Sequence, residues 1–193
     1  MQKRSEVTRG RLLDAALKEF AIHGYEATRV EDICAAADVS KGAFYHHFES
    51  KQELFLSLMN SWMQAIDEGL RELYKPTVPE TLVAMTDIVP DILTAAWQQL
   101  PMLMEFWLQA SRDQEVWEAS IEPYRHFRKF FTGLVEQGIR EGTLRSDDPE
   151  TAGMLILSMT VGMLLQALVE PQGANWESTA KQGMQVIMKG LAV

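Results

Sequence analysis

The sequence predicts an all-α protein of about nine helices, with a small helical head at the N-terminus and a larger helical body behind it. Three observations carry this. Apolar residues recur three and four apart along almost the whole chain, and alternating Val/Ile/Thr runs bounded by turn pairs are absent. Ser, Thr, Asp or Asn precede the apolar runs, and glycine or proline follows them. Residue types are also divided along the chain. Residues 1–55 hold eight Lys/Arg against nine Asp/Glu, whereas the remainder holds ten against eighteen, together with all five tryptophans and ten of the eleven methionines. The expected domains are 1–50 and 51–193.

Taken in order, Leu13, Ala16, Leu17, Phe20 and Ala21 form one face of a first helix, and Gly24 suits the position just past its end. Thr28 and Glu31 have the spacing of a capping box, opening a short helix with Val30, Ile33, Cys34 and Ala37. Asp38 tolerates the left-handed backbone of a tight turn, and Ser40 caps a third helix, Lys41 to about Phe48. Ser50 and Glu53 make a second box at the head of a long helix, which carries Leu54, Phe55, Leu58, Trp62, Ile66 and Leu70 to about Tyr74. After Pro76 and Pro79 comes a helix to about Leu100, broken by or starting after Pro90. A short apolar segment, Met102 to Arg112, follows Pro101. Glu115 to Arg140 reads as one long helix ending near Gly142. Asp148-Pro149 starts the next, which Pro171 stops, and Asn175 caps a last helix to about Ala192.

Composition excludes several classes. A chain of 193 residues with 47% hydrophobic content can bury a core, so wholesale disorder is not expected. The single cysteine, Cys34, rules out an intrachain disulfide framework and any multi-cysteine zinc site, and fits a reducing cytoplasm. The charged start Met1-Gln2-Lys3-Arg4-Ser5-Glu6 is not followed by an apolar stretch, so no signal peptide is expected. Nineteen uncharged residues lie between Glu150 and Glu170, close to a membrane span in length. Thr151, Ser158, Thr160, Gln166 and two glycines interrupt them, and no basic cluster flanks them, so a helix buried at the centre of an oligomer is the simpler expectation.

Three helices in fewer than fifty residues, with a short turn between the second and third, make a helix-turn-helix pattern. The third helix would display Lys41, Gly42, Ala43, Tyr45, His46 and His47, an odd set for a core. Three helix starts, Thr28-Arg29, Ser40-Lys41 and Ser50-Lys51, each join a hydroxyl to a cation where the helix dipole favours acids. An external anion explains the inversion, and DNA phosphates supply one. The net charge of −9 argues against coating nucleic acid through overall positive charge, not against one directed face.

The stretch Leu12 to Thr28, followed by Val30-Glu31-Asp32-Ile33 and Val39-Ser40-Lys41-Gly42-Ala43-Phe44-Tyr45-His46-His47-Phe48, closely resembles the DNA-binding domain of TetR-family transcriptional regulators. The resemblance covers about residues 5–60. Behind it, only helix number, helix length and the run Gly142-Thr143-Leu144-Arg145 with Asp148-Pro149-Glu150 match. Asp38 stands where the family mostly has glycine, and Ala43 where it commonly has a hydroxyl residue, so that contact would pass to a thymine methyl.

What the resemblance implies is a homodimeric, ligand-responsive regulator of repressor type, with 1–50 as the DNA-binding domain and 51–193 as the ligand-binding and dimerisation domain. Thr28, Arg29, Ser40, Lys41, Tyr45 and Lys51 would contact phosphates, and Gly42, Ala43 and His46 would lie nearest base edges. Arg4, Arg9 and Arg11 suit either a flexible DNA-contacting arm or plain surface solvation. The implied partners are double-stranded, palindromic operator DNA, a second copy of the chain and a small apolar or amphipathic effector. No cofactor, metal or membrane is implied, and the implied location is cytoplasmic. For the dimer face we expect Gly153, Ile156, Met159, Met163, Ala167, Val186 and Ile187. For the effector pocket we expect Trp62, Trp97, Met102, Phe106, Trp107, Trp117, Tyr124 and Phe127.

An enzyme is disfavoured. No Gly-rich phosphate loop, His-Glu-x-x-His or Gly-x-Ser-x-Gly occurs, and adjacent His46 and His47 cannot chelate one ion together. A helical lipid- or partner-binding protein without DNA binding is the remaining alternative.

Overall fold

Two residues with left-handed backbone punctuate the head. Gly24 (φ 81°) ends α1 (Gln2–His23), and Asp38 (φ 52°) makes the turn between α2 (Val30–Ala36) and α3 (Lys41–His47). Asp38 is held in that costly conformation by Arg11, whose guanidinium donates to its carbonyl and its carboxylate, both at 3.3 Å. The computed structural model describes residues 2–193, with side chains described for all of these except 2–4, 95–103, 109 and 115.

The chain continues through α4 (Lys51–Glu72), α5 (Val78–Ala84), a 3₁₀ turn (Met85–Ile88), α6 (Val89–Ala110), α7 (Gln114–Ser120), α8 (Glu122–Arg140), α9 (Pro149–Val169) and α10 (Trp176–Leu191). The described residues therefore form ten α-helices rather than about nine. The expected Glu115–Arg140 helix is two, because Pro123 has no amide hydrogen and its ring collides with the carbonyl four residues back, so α8 starts afresh there. Conversely, the helix expected to stop at about Leu100 does not end before Pro101. α6 runs through it, and burial of Phe106 and Ala110 beyond it helps offset the interior proline, about 3 kcal/mol. The flexible arm is also overturned, since α1 is helical from Gln2.

The Thr28–Glu31 box does not form. α2 begins one residue later, with Arg29 as its N-cap and the Asp32 carboxylate accepting from the Arg29 amide at 3.0 Å. The Thr28 hydroxyl turns inward and donates to Gly24 O at 2.7 Å. At α4 only half of the second box forms. Ser50 Oγ accepts from Glu53 N at 3.0 Å, but the Glu53 carboxylate accepts from Glu49 N, one residue before the cap, instead of from Ser50 N.

By packing, the chain forms two compact units, Met1–Gln64 with Gln98–Ile121, and Ala65–Trp97 with Glu122–Val193. Neither is bounded at residue 50, where the sequence pattern placed the break. In the first unit Leu12, Ala16 and Phe20 of α1 meet Ile33, Phe44 and Phe48, and Leu54, Phe55 and Phe106 complete the same core. The buried stripe of α1 is turned slightly from the expected one: Leu12 is fully buried and Ala21 is exposed.

In the second unit α9 lies closely along α8. A Cβ built on Gly153 would come within 2.6–2.8 Å of Thr132 N, Oγ1 and Cα, so only glycine allows the approach. Asp148 caps α9 by accepting from Thr151 N at 3.1 Å, and Asn175 caps α10 by accepting from Ser178 N at 3.0 Å. By length and composition α9 is apolar enough to cross a membrane, and 28% of its most apolar window is buried in the single chain.

Gly153→Ala is expected to destabilise the protein by about 1–3 kcal/mol through overpacking against α8. Gly133→Ala, where an added Cβ meets nothing within 4 Å, should stabilise α8 by up to about 1 kcal/mol. Denaturant midpoints of the two variants test the contrast.

Candidate nucleic-acid interface

α3 is seven residues long, and its sequence divides it into two faces. Phe44 is fully buried and meets Phe48 with ring centroids 5.9 Å apart, so the helix is pinned by one aromatic edge. Ser40 caps it, its Oγ accepting from Ala43 N at 3.2 Å. The opposite face presents Lys41, Gly42, Tyr45 and His46, all exposed, with Ala43 half-buried between them. Tyr45 is 55% exposed while its ring touches Phe44, which orients the hydroxyl outward on a fixed base. Arg29, exposed at the α2 N-cap, flanks this face in sequence.

The cations are not free. Lys41 is paired with Glu31 of α2, and that hydrogen bond is the leading reason the lysine is pushed up and the glutamate pulled below their ordinary values. Both are largely exposed, so a phosphate can compete for the ammonium. Arg9 stands 5.1 Å from the Phe48 ring centroid, and burial, then His46 and Arg9, hold His47 below the usual imidazole range. His47 is thus neutral at pH 7.

Two expected phosphate contacts prove to be committed elsewhere. Thr28 is 2% exposed and spends its hydroxyl on the end of α1. Lys51 donates to the carbonyls of Tyr25 (2.7 Å), Glu26 (3.2 Å) and Thr28 (2.8 Å), using all three ammonium donors. Its Nζ also sits 4.4 Å from the Tyr25 ring centroid, and burial lowers its pKa. The sequence signal, a lysine beside a cap, was real but marked an internal clamp. Glu31 and Arg11 were missed as partners because their pairings cross between helices.

The expected pocket residues divide between the units. Phe106 is core, stacked on Phe55 at 4.1 Å, and Trp62 and Trp117 pack half-buried against that core. Trp107 is exposed on α6. In the second unit Phe127 is buried and Tyr124 exposed on α8. Trp97 and Met102 lie outside the described side chains. The expected dimer face needs correction too. Gly153, Ile156 and Ala167 are buried within the unit and offer no surface. Met159, Met163 and Ile187 are half-buried, and Val186 is exposed. The exposed strip is rotated to Met154, Leu155, Val161, Leu165 and Val169. An all-round apolar helix carries no sequence mark for which side faces in.

Among the described residues no cluster of three or more His, Cys, Asp or Glu is placed to hold a metal. A helix-turn-helix head with a polar, small-residue recognition face, joined to a helical body, defines a DNA-binding transcriptional regulator. The pattern of the bacterial regulatory proteins of the tetR family matches residues 12–58, and that of the C-terminal part of BetI-type transcriptional repressors matches residues 91–191. The chain belongs to the tetR family. It is a ligand-responsive DNA-binding regulator, not an enzyme, and acts on operator DNA as a dimer.

The transcriptional regulator UidR of Escherichia coli K12 is 26% identical over 197 residues, covering 99% of this chain and 96% of that one. The repressor KstR2 of Rhodococcus jostii RHA1 is 25% identical over 186 residues, covering 95% and 91%. A transcriptional regulator of Pseudomonas aeruginosa PAO1 has a solved structure of the same fold, with TM-score 0.82 at 21% identity over 94% of this chain and 88% of that one.

Glu31→Gln releases Lys41 from its internal partner. Affinity for mixed-sequence duplex at low salt should rise about two- to fivefold per subunit, the gain shrinking as salt is added. Anisotropy titrations across a salt series measure it.

Proposed function

We propose that the protein is a repressor-type switch that binds a palindromic operator through two copies of α3 and is released by a small, largely apolar or amphipathic effector in the cytoplasm. The observation that carries this is the outward face of α3. Gly42 and Ala43 let the helix approach base edges closely, with His46 beside them, while Arg29, Ser40, Lys41 and Tyr45 reach phosphates. Thr28 and Lys51 leave this contact set and support the head from within. Two copies related by a two-fold axis would place their recognition helices about 34–36 Å apart, hence the palindrome.

For the dimer we propose the strip Leu155, Val161, Leu165 and Val169 of α9, with Ser158 and Gly162 between them and Val186 on α10. A Cβ built on Gly162 meets nothing in the single chain, so a second helix has room to come close there. This strip takes a second copy rather than lipid: Ser158 and Gln166 share its exposed side and suit a helix-helix seam. The effector reading is supported by the body's methionines and tryptophans, which adapt to varied apolar shapes. An effector preferring a body shape unsuited to operator spacing would weaken DNA binding about 5–150-fold.

Binding to labelled DNA over a salt series tests the reading: a steep, sequence-dependent salt slope is expected, and indifference to every duplex at low salt would overturn it. Tyr45→Ala should weaken binding to all sequences alike, whereas Ala43→Ser should change the ranking of sequences selected from a random library. Leu165→Glu should give a monomer by analytical ultracentrifugation and lose operator affinity, with its helical circular dichroism retained.

A further inference from the structure

The connector from Gly24 to Arg29, which leads from α1 into α2, is held by two charges from distant parts of the chain. The amides of Tyr25 and Glu26 have no backbone acceptor among their described bonds. They donate to the Glu105 carboxylate of α6, to Oε2 at 2.9 Å and Oε1 at 2.7 Å. Successive amides around one anion form a nest, and bonds to a charged acceptor are about twice as strong as neutral ones. The carbonyls of Tyr25, Glu26 and Thr28 point the other way and are taken by Lys51.

The seat is shaped for its occupant. A Cβ on Gly24 would lie 2.7 Å from Glu105 Oε2, so the glycine that supplies the left-handed turn also makes room for the carboxylate. The neighbouring residue, Phe106, stacks on Phe55 and meets Tyr25 edge-on at 5.1 Å. Burial, then Glu26 and Glu105, push the Tyr25 phenol up to about 12, so the ring stays neutral between the two charges. Glu105 lies near the end of α6, within the same compact unit as the connector it holds.

We infer that Glu105 is a positioning residue for operator binding: seated in the Tyr25 and Glu26 amides, it lets α6 set the connector ahead of α2, and withdrawing it releases the helix-turn-helix from its binding geometry. This rests on the DNA-binding reading above. Any movement of α6 that draws the carboxylate back leaves two amides unpaired and loosens the segment on which α2 is mounted.

The test uses the full-length dimer and the duplex that the wild-type protein selects from a random library. In the wild-type protein each amide meets its own carboxylate oxygen. Glu105→Gln keeps size and shape, but replaces one of the two oxygens with an NH₂ that sets donor against donor, and removes the charge. Expected are faster hydrogen exchange over residues 24–29 and operator affinity reduced about tenfold, with dimer mass and melting midpoint close to wild type. Val116→Ala lightens the same core but leaves both the nest and the aromatic cluster beside it intact. It should lower the melting midpoint and leave operator affinity within about twofold, measured where both proteins are folded. Faster exchange with unchanged affinity in Glu105→Gln, unchanged exchange, or an equal affinity loss in Val116→Ala would each overturn the role of Glu105. Failure of the wild-type protein to select any duplex would overturn the proposed function itself.

Discussion

A head of about fifty residues buries little surface and is marginal by itself, and this one is completed by side chains from outside it. Phe20 and Tyr25 from the end of α1 pack against Phe55 of α4 and Phe106 of α6, with ring centroids between 4.1 and 5.7 Å. That aromatic cluster is the constraint on which the rest depends. It fixes where α1 ends, and α1 is the platform on which α2 and α3 are mounted. A DNA-reading helix of seven residues has little rigidity of its own, and its geometry is inherited from what lies beneath it.

Charge is arranged in two layers. The inner layer is Lys51 and Glu105, engaged with the backbone of the connector: Lys51 holds three carbonyls, two of them half-buried, and Glu105 holds two amides, one of them half-buried. The outer layer is Lys41 with Glu31 and Arg11 with Asp38, exposed pairs of small individual worth that can exchange partners. The inner pair sets shape, and the outer pairs set how readily the surface accepts phosphate. The acidic body adds a field that repels DNA from other faces and so favours one approach.

Much of this was legible in residue order. Ser40, Ser50, Asp148 and Asn175 announced helix starts through local hydrogen bonds that need only neighbours, and Gly24 and Asp38 announced turns through backbone sterics. Pro101 and Pro123 were misjudged for opposite reasons. A proline inside a helix is a cost that distant burial can offset, as at 101, whereas at 123 the chain restarts. The rotation of α9 was not legible, because a helix apolar on every side has no polar stripe to mark its outside.

The sequence by itself determined the helical class, the helix-turn-helix, the order of the elements and the chemistry of the α3 face. Each of these is encoded in spacings of four residues or fewer. Only the tertiary structure decided that Thr28 and Lys51 face inward, that Gly153, Ile156 and Ala167 belong to a core, and that Glu105, about eighty positions away, seats the amides of Tyr25 and Glu26. A carboxylate or an ammonium is compatible with water, with a phosphate or with a backbone nest. Which one it meets is set by packing between segments remote in sequence, and no local pattern records that choice.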